Sequence, residues 1–371
     1  MPSLPPPTRS LRARLALAAA AACVALLCVE GAFRVAGYGD PLASDDLVMT
    51  WEPGAPLVRD PEPGVLVSLR PGFTGAMVYR RATDGAVVHR VAVRTSSRGL
   101  RGPEIPPTAA PGTLRILLLG DSLTFGYGVA EEQAFPAVLG RDLATTRSVE
   151  VVNAGVPTWN LEQEVAWSER RGLDLSPDVV VLCYYLNDLD PPWYDPGADP
   201  VPADLPVRAP PWARREGGVR RVSFALNQVF RVLERRRLAR EVATWGRLGP
   251  GQPDLLEAER RYWSADRARS LFLRLRGACE ARGAVPTVAL LPVFEPLPEG
   301  EARGLLDQVE ASARAAGVGV LRLDDTVRDL SLFERSVLPG DPHPSAEAHR
   351  RLGEALAARI SPLLPRAAAL P

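Results

Sequence analysis

Short apolar runs and amphipathic stretches alternate along most of the chain. Largely apolar runs, typical of buried strands, occur at residues 114–119, 149–152, 179–184, 285–291 and 319–323. Apolar positions recur at helical spacing at residues 131–143, 159–171, 265–282, 301–316 and 346–360. Strands that alternate with helices in this way predict an α/β fold, in which helices cover both faces of a parallel sheet. We therefore expect residues 113–365 to form the main domain.

The amino-terminal segment, residues 1–36, has a different pattern. Three arginines precede an uncharged apolar run at residues 15–29, and Glu30 ends this run. Such an order is typical of an export signal or a membrane anchor. The residues that follow offer only a poor small-x-small cleavage site, which favours an uncleaved anchor in the inner membrane, although a spanning helix normally needs about 20 apolar residues. The main domain would then be periplasmic. Secretion after cleavage is the alternative.

A proline-rich linker opens the segment at residues 37–112. Strand patterns follow at residues 65–69, 76–81 and 86–93, with a Thr-Asp-Gly turn at 83–85. These patterns predict a small β-rich decoration of the main domain. Its expected role is that of a spacer or edge cover, and carbohydrate binding is the alternative.

An insertion at residues 190–264 interrupts the main domain. It is rich in proline and tryptophan at first, and residues 222–238 are amphipathic at helical spacing. Because the insertion begins directly after a candidate active-site loop, we expect it to border the pocket as a lid or a wall. A helix packed on the domain and an interfacial membrane helix are the alternatives.

Composition narrows the range of functions. The 371 residues include 44 basic and 44 acidic side chains, and every basic one is an arginine. A formal net charge of zero gives no sign of the basic surface that nucleic-acid binding normally requires. The four cysteines show neither a disulfide framework nor metal-ligand spacing. The sequence therefore predicts no metal and no cofactor.

One of the apolar strands leads directly into a candidate nucleophile. Residues 114–123 read Leu-Arg-Ile-Leu-Leu-Leu-Gly-Asp-Ser-Leu, so Ser122 follows a sharp turn and opens a helix, where N–H groups favour an anion. A serine hydroxyl needs a base that takes its proton. Of the three histidines, His343 is the best placed, because it stands between two prolines just before the last helix. Asp341 precedes it by two positions.

Two other loops follow apolar strands and carry Gly155 and Asn187. The carboxyl ends of parallel strands share one edge of a sheet, so we expect Ser122, Gly155 and Asn187 at that edge. Each has an ordinary explanation when taken alone: a helix N-cap, a turn glycine and a loop-capping amide, respectively. Their order after successive strands favours a catalytic site.

Three further polar residues have weaker claims to a function. Asp188 could bind a metal, but no suitable histidine or cysteine spacing accompanies it. His349 lies on the helix after the candidate base and is interpreted as a surface or packing residue. His89 belongs to an alternating strand and is expected at an ordinary outward position.

The order of Ser122, Gly155, Asn187 and His343 resembles the sequence blocks of the SGNH hydrolases, also called the GDSL esterase/lipase superfamily, over roughly residues 114–360. The resemblance implies a flavodoxin-like, three-layer α/β/α fold. It implies that Ser122 is the nucleophile, that His343 is the base, and that the N–H groups of Ser122 and Gly155 form the oxyanion hole with the Asn187 side chain. It assigns Asp341 as the acid, although the common family spacing is Asp-x-x-His.

The sequence thus predicts a serine esterase that acts on small-acyl esters of envelope carbohydrates or lipids through an acyl-enzyme. One alternative is an O-acetyltransferase that acts on an envelope polysaccharide. The other is a catalytically silent protein that keeps the fold for binding or assembly. The expected partners are the ester substrate and, through the amino-terminal segment, the membrane.

Overall fold

The structure is a computed structural model, which describes residues 10–36, 47–81, 85–190, 204–207, 223, 225–226, 260–294, 299–338 and 341–364. The chain forms two units, one made of residues 1–46 and 209–240 and the other of residues 47–208 and 241–371. In chain order the helices are α1 (Leu11–Ala36), α2 (Ser122–Phe125), α3 (Phe135–Ala144), α4 (Leu161–Arg170), α5 (Ala265–Ala281), α6 (Glu299–Ala315), α7 (Leu332–Arg335) and α8 (Ala346–Ile360). The strands are β1 (Leu47–Glu52), β2 (Leu57–Arg59), β3 (Val67–Leu69), β4 (Thr74–Arg81), β5 (Val87–Arg94), β6 (Leu114–Gly120), β7 (Val149–Gly155), β8 (Val179–Tyr184), β9 (Asp204–Val207), β10 (Val285–Leu290), β11 (Gly319–Arg322), β12 (Ser336–Leu338) and β13 (Asp341–Pro344).

Helix α1, in the first unit, extends well beyond the apolar run that the sequence analysis delimited. Its stretch Arg14–Val35 has 22 residues and a mean hydropathy of 2.2, so it is long and apolar enough to cross a membrane, as signal sequences also are. Glu30 does not end the helix, because its carboxylate pairs with Arg34 one turn later at 2.8 Å. The same carboxylate accepts a hydrogen bond from the Ser223 hydroxyl at 2.7 Å.

The main domain, in the second unit, is built on a five-stranded parallel sheet with the order β11-β10-β8-β6-β7. Successive residues of β6 face opposite layers. Ile116 and Leu118 pack with α3 and α8, whereas Leu117 and Leu119 pack with α4, α5 and α6. Burial on both faces explains why this strand is apolar apart from Arg115, whose buried side chain pairs with Glu150 at 2.7 Å. The predicted three-layer α/β/α fold is confirmed, and most predicted elements differ from the observed ones by only a few residues.

Three amino-terminal strands form a second, antiparallel sheet with β9, in the order β5-β4-β1-β9, while β2 and β3 pair with each other. Strands β3, β4 and β5 occur where the sequence predicts them, while β1 and β2 were not predicted. The turn at 83–85 lies largely outside the described residues. Buried side chains of this sheet, such as Met49 and Met77, belong to the same apolar cluster as Leu117 of the main sheet. The four-stranded antiparallel sheet and the main sheet therefore share one core.

The insertion at residues 190–264 contributes to the second sheet through β9, which pairs antiparallel with β1. The amphipathic stretch 222–238 lies outside the described residues, apart from Ser223 and residues 225–226. Its expected role as a lid or a wall stays a prediction.

Candidate active site

A tight turn at the carboxyl end of β6 presents Ser122. Gly120 has no room for a side chain, because a Cβ atom would lie 2.1 Å from the Thr124 hydroxyl oxygen. Asp121 is the N-cap of α2, since its carboxylate accepts a hydrogen bond from the main-chain N–H of Leu123 at 2.8 Å. Ser122 is therefore the first helical residue, and the N-cap explanation for this serine is wrong.

His343 and Asp341 lie beside the nucleophile on the short strand β13. The Nε2 atom of His343 is 2.9 Å from the Oγ atom of Ser122. Its Nδ1 atom is 2.5 Å from Oδ1 of Asp341, and its main-chain N–H donates to the same oxygen at 3.0 Å. In a strand, side chains two positions apart lie on the same face. The shortened Asp-x-His spacing is therefore compatible with contact between the two side chains.

The electrostatics of Asp341 suit a partner of an imidazole. Burial by itself would raise the pKa of this carboxyl group. The charge of His343, with hydrogen bonds from His343 and Tyr79, outweighs burial and lowers the pKa below its ordinary value. An ionised carboxylate beside Nδ1 favours the tautomer in which Nε2 accepts the proton of Ser122.

Two tyrosines that the sequence analysis did not single out complete the surroundings of His343 and Asp341. The ring of Tyr127 stacks on the imidazole, with the ring centroids 4.3 Å apart and the planes at 25°. Tyr79, on β4, donates its hydroxyl hydrogen to Oδ2 of Asp341 at 3.1 Å. Tyr127 follows the nucleophile closely in a Gly-Tyr-Gly sequence, which could have drawn attention to it. No motif marks Tyr79.

Asn187 reaches the nucleophile turn from the loop after β8. Its side chain lies near enough to the buried carboxylate of Asp121, the residue before the nucleophile, to lower the pKa of that group. An amide nitrogen carries two hydrogens, so this side chain has a donor to offer to a substrate oxygen beside Ser122. The position agrees with the expected role in an oxyanion hole, which stays a prediction.

Gly155 is held by contacts that explain the glycine without catalysis. Its N–H donates to the side-chain oxygen of Asn153 at 2.9 Å. A Cβ atom at Gly155 would lie 2.2 Å from the main-chain nitrogen of Phe125, so only glycine permits β7 to approach α2 this closely. An oxyanion role for Gly155 would require its N–H to leave Asn153. This role stays a prediction. Thr158 follows in the same loop with φ at 78°, a strained left-handed conformation that the sequence did not reveal.

A pair of buried acids lies behind the nucleophile turn. Glu164, on α4, is fully buried, and neither of its carboxylate oxygens has a hydrogen-bond partner among the described residues. Burial, and then the charge of Asp121, raise the pKa of Glu164 well above its ordinary value. Burial also raises the pKa of Asp121, against the opposing hydrogen bonds from Leu123 and Asn187. Since Asp121 has these donors and Glu164 has none in the described part of the chain, we infer that Glu164 keeps its proton.

The two remaining histidines have structural contacts. His349 is buried, and its Nδ1 atom accepts a hydrogen bond from the main-chain N–H of Phe135 at 3.2 Å. Burial lowers the pKa of His349 to about 3, so it packs as a neutral side chain. His89 does not occupy an ordinary outward position, because its Nε2–H donates to the carbonyl oxygen of Gly128 at 2.7 Å. Among the described residues, no group of histidine, cysteine, aspartate and glutamate is arranged to hold a metal ion.

Comparisons with known proteins show which proteins this chain resembles. A search of curated proteins finds no match. Solved structures that resemble the chain include a lipase/acylhydrolase from Enterococcus faecalis, with 16% identity and a TM-score of 0.41, covering 69% of this chain and 100% of the other. A lipolytic protein of the G-D-S-L family from Veillonella parvula has 12% identity and a TM-score of 0.40, with 67% and 98% covered. An acetyl xylan esterase, AlAXEase, has 13% identity and a TM-score of 0.39, with 67% and 100% covered.

The family comparison covers more than half of the chain. Residues 118–351, which include the nucleophile turn and His343, match the GDSL-like lipase/acylhydrolase family. The chain therefore belongs to this family and is an ester hydrolase.

Proposed function

We propose that this ester hydrolase is a serine esterase whose catalytic triad consists of Ser122, His343 and Asp341. The observation that carries the proposal is the chain of hydrogen bonds from Ser122 Oγ to His343 Nε2, at 2.9 Å, and from His343 Nδ1 to Asp341 Oδ1, at 2.5 Å. Nucleophile, base and orienting acid within hydrogen-bond reach of one another are the geometric requirement of such a triad.

The reaction follows the usual course of acyl transfer. His343 takes the proton of Ser122 as the serine oxygen bonds to the ester carbonyl carbon. The tetrahedral intermediate collapses when His343 passes that proton to the leaving alcohol oxygen, and the acyl group remains on Ser122. Water then attacks the acyl-enzyme and gives its proton to His343. Breakdown of the second intermediate releases the carboxylic acid and returns the proton to Ser122.

Stabilisation of the oxyanion is assigned to Asn187 and to the main-chain N–H of Ser122. Support comes from the position of Asn187, whose side chain lies near Asp121, the residue before the nucleophile, and lowers its pKa. Support for the N–H of Ser122 comes from its place at the start of α2, where main-chain N–H groups have no partner within the helix. Gly155 would add a third donor only when its N–H exchanges Asn153 for the substrate.

For the substrate we propose small-acyl esters of cell-envelope carbohydrates or lipids. The support is topological: an apolar helix, Arg14–Val35, precedes the hydrolase domain and is compatible with an uncleaved anchor that leaves the domain in the periplasm. A periplasmic active site would meet envelope esters and would have no access to cytoplasmic acyl-CoA.

The test uses the full chain in detergent micelles and p-nitrophenyl esters of increasing acyl length. Ser122→Ala and His343→Ala should each abolish nearly all turnover, and Ser122→Ala should also abolish labelling by a fluorophosphonate. Ser148→Ala is the matched control, because this exposed serine precedes β7 at the opposite edge of the main sheet. Full turnover by Ser122→Ala would refute the proposal. Acyl transfer to a saccharide acceptor in place of acid release would identify a transferase.

A further inference from the structure

The carboxylate of Asp341 has two oxygens with different partners. Oδ1 receives both the ring and the main-chain N–H of His343, whereas Oδ2 receives the hydroxyl of Tyr79 at 3.1 Å. The Asp341 side chain is only 3% exposed, so water is largely excluded from it. Without Tyr79, Oδ2 would lose the one donor that the described residues supply to it, and an unpaired charged oxygen in a buried place is costly.

Tyr79 comes from the amino-terminal sheet rather than from the α/β domain. It is fully buried on β4, paired with Met49 of β1 on one side and with His89 of β5 on the other. Its ring lies against that of His89, with centroids 5.7 Å apart. A side chain on the middle of a paired strand has little freedom to move. The Tyr79 hydroxyl is therefore a fixed donor rather than an adaptable one.

The protonation state of Tyr79 suits this donation. Burial, followed by the charge of Asp341, raises the pKa of the phenol well above its ordinary value. The hydroxyl therefore keeps its hydrogen at any pH at which the enzyme would work. A hydrogen bond from a neutral donor to an ionised carboxylate is among the stronger kinds in proteins.

A second contact from the same sheet reaches the loop after the nucleophile. His89, the neighbour of Tyr79 across the strands, donates to the carbonyl oxygen of Gly128. The adjacent residue, Tyr127, stacks on the imidazole of His343. The sheet thus contacts the acid directly and the histidine ring through the loop, which a mere spacer would not need to do.

We propose that Tyr79 is a positioning residue of the catalytic triad, which holds Asp341 in the orientation that aligns His343, so that the amino-terminal sheet is part of the catalytic apparatus. This inference rests on the proposed function. The Asp-x-His spacing places both side chains on one face of β13, and Tyr79 anchors the far oxygen of the acid.

The experiment compares Tyr79→Phe with the wild-type chain in detergent micelles. The substitution removes one hydroxyl and keeps the ring, and all rates are normalised to active sites titrated with fluorophosphonate, so an unfolded fraction does not count. Because a hydrogen bond to a charged group is lost, we expect kcat to fall about 10- to 100-fold with little change in KM. Thr50→Val is the matched control: it removes a hydroxyl from β1 of the same sheet, whose one acceptor among the described residues is the carbonyl oxygen of Val78. It should leave kcat unchanged.

A double-mutant cycle separates positioning from general support of the fold. If Tyr79 acts through Asp341, adding Tyr79→Phe to Asp341→Asn should lower kcat no further. The inference would be overturned if the kcat of the double variant fell by the product of the two single losses, or if Tyr79→Phe left kcat unchanged. In either case labelling of Ser122 would leave the proposed function standing. Absence of Ser122-dependent labelling and turnover in the wild-type chain would instead overturn the proposed function, and the inference with it.

Discussion

Glu164→Gln should make the folded state more stable at neutral and alkaline pH while leaving it nearly unchanged at acidic pH. Glu164 is fully buried on α4, without a hydrogen-bond partner among the described residues. Asp121 adds its negative charge to the effect of burial, and together they raise the pKa of Glu164 well above its ordinary value. Two other groups of this region, Asp188 and Cys183, offer no positive charge. The folded protein therefore keeps a proton on Glu164 that the unfolded chain releases.

The size of the effect follows from this difference in proton binding. Below the ordinary pKa of a glutamate, both states hold the proton and Glu164 has no influence on the pH dependence. Above it, only the unfolded chain releases the proton, so the free energy of unfolding falls as the pH rises. The slope is about 1.4 kcal/mol for each pH unit until the raised pKa of the folded state is reached. Glutamine, nearly equal in shape and always neutral, removes this slope.

The assay is urea unfolding of the full chain in detergent micelles at a series of pH values, followed by tryptophan fluorescence. Trp159 and Trp167 are buried around α4 and report on the loss of its packing. Glu162→Gln is the matched control, because Glu162 lies on the exposed face of the same helix and pairs with Arg267 at 2.9 Å. Only Glu164→Gln should gain stability over the wild type as the pH rises. If the free energies of unfolding of the wild type and of Glu164→Gln changed with pH in parallel, Glu164 would be ionised in the folded state, and the reasoning would be refuted.

Three further outcomes can be measured on the same preparation. Asn187→Ala should lower kcat by about 10²- to 10³-fold with little change in KM, as for the loss of one oxyanion donor; a change in KM alone would assign Asn187 to substrate binding. Asp341→Asn should lower kcat by as much as about 10⁴-fold, because it favours the wrong histidine tautomer; a loss of only a few-fold would leave a Ser122–His343 dyad. Intact-mass analysis of the membrane fraction, with protease accessibility in spheroplasts, should find an uncleaved chain whose hydrolase domain faces away from the cytoplasm. A mature chain that begins beyond Val29, or a protected domain, would contradict that topology.

The α/β core could be predicted because its signal is local. A strand buried on both faces, such as β6, is largely apolar, and helix α8 was predicted with its observed bounds, Ala346–Ile360. Helix α1 was underestimated because Glu30 was taken as its end. A charged residue need not end a helix when Arg34, one turn later, pairs with it. Such compensation depends on a side-chain geometry that a count of apolar residues does not include.

The residues of the candidate site also differ in whether the local sequence identifies them. Ser122 and His343 could be found because each stands in a recognisable local sequence, at a strand end or before a helix. Tyr79 and Glu164 could not, because their importance arises only when distant segments meet: Tyr79 donates to Asp341, and the charge of Asp121 raises the pKa of Glu164. Nothing in the sequence around Glu164 distinguishes a buried acid from the exposed acids of the same helix.

The shortened spacing between acid and base shows how local sequence and distant structure combine. Strand geometry allows Asp341 to face His343 from two positions away, but a short strand does not fix the rotation of a carboxylate. That rotation decides whether Oδ1 points at Nδ1 of the imidazole. A donor on the opposite oxygen limits it, and Tyr79 supplies that donor from a paired and buried strand. The second sheet therefore takes over part of the task of orienting the acid in this chain.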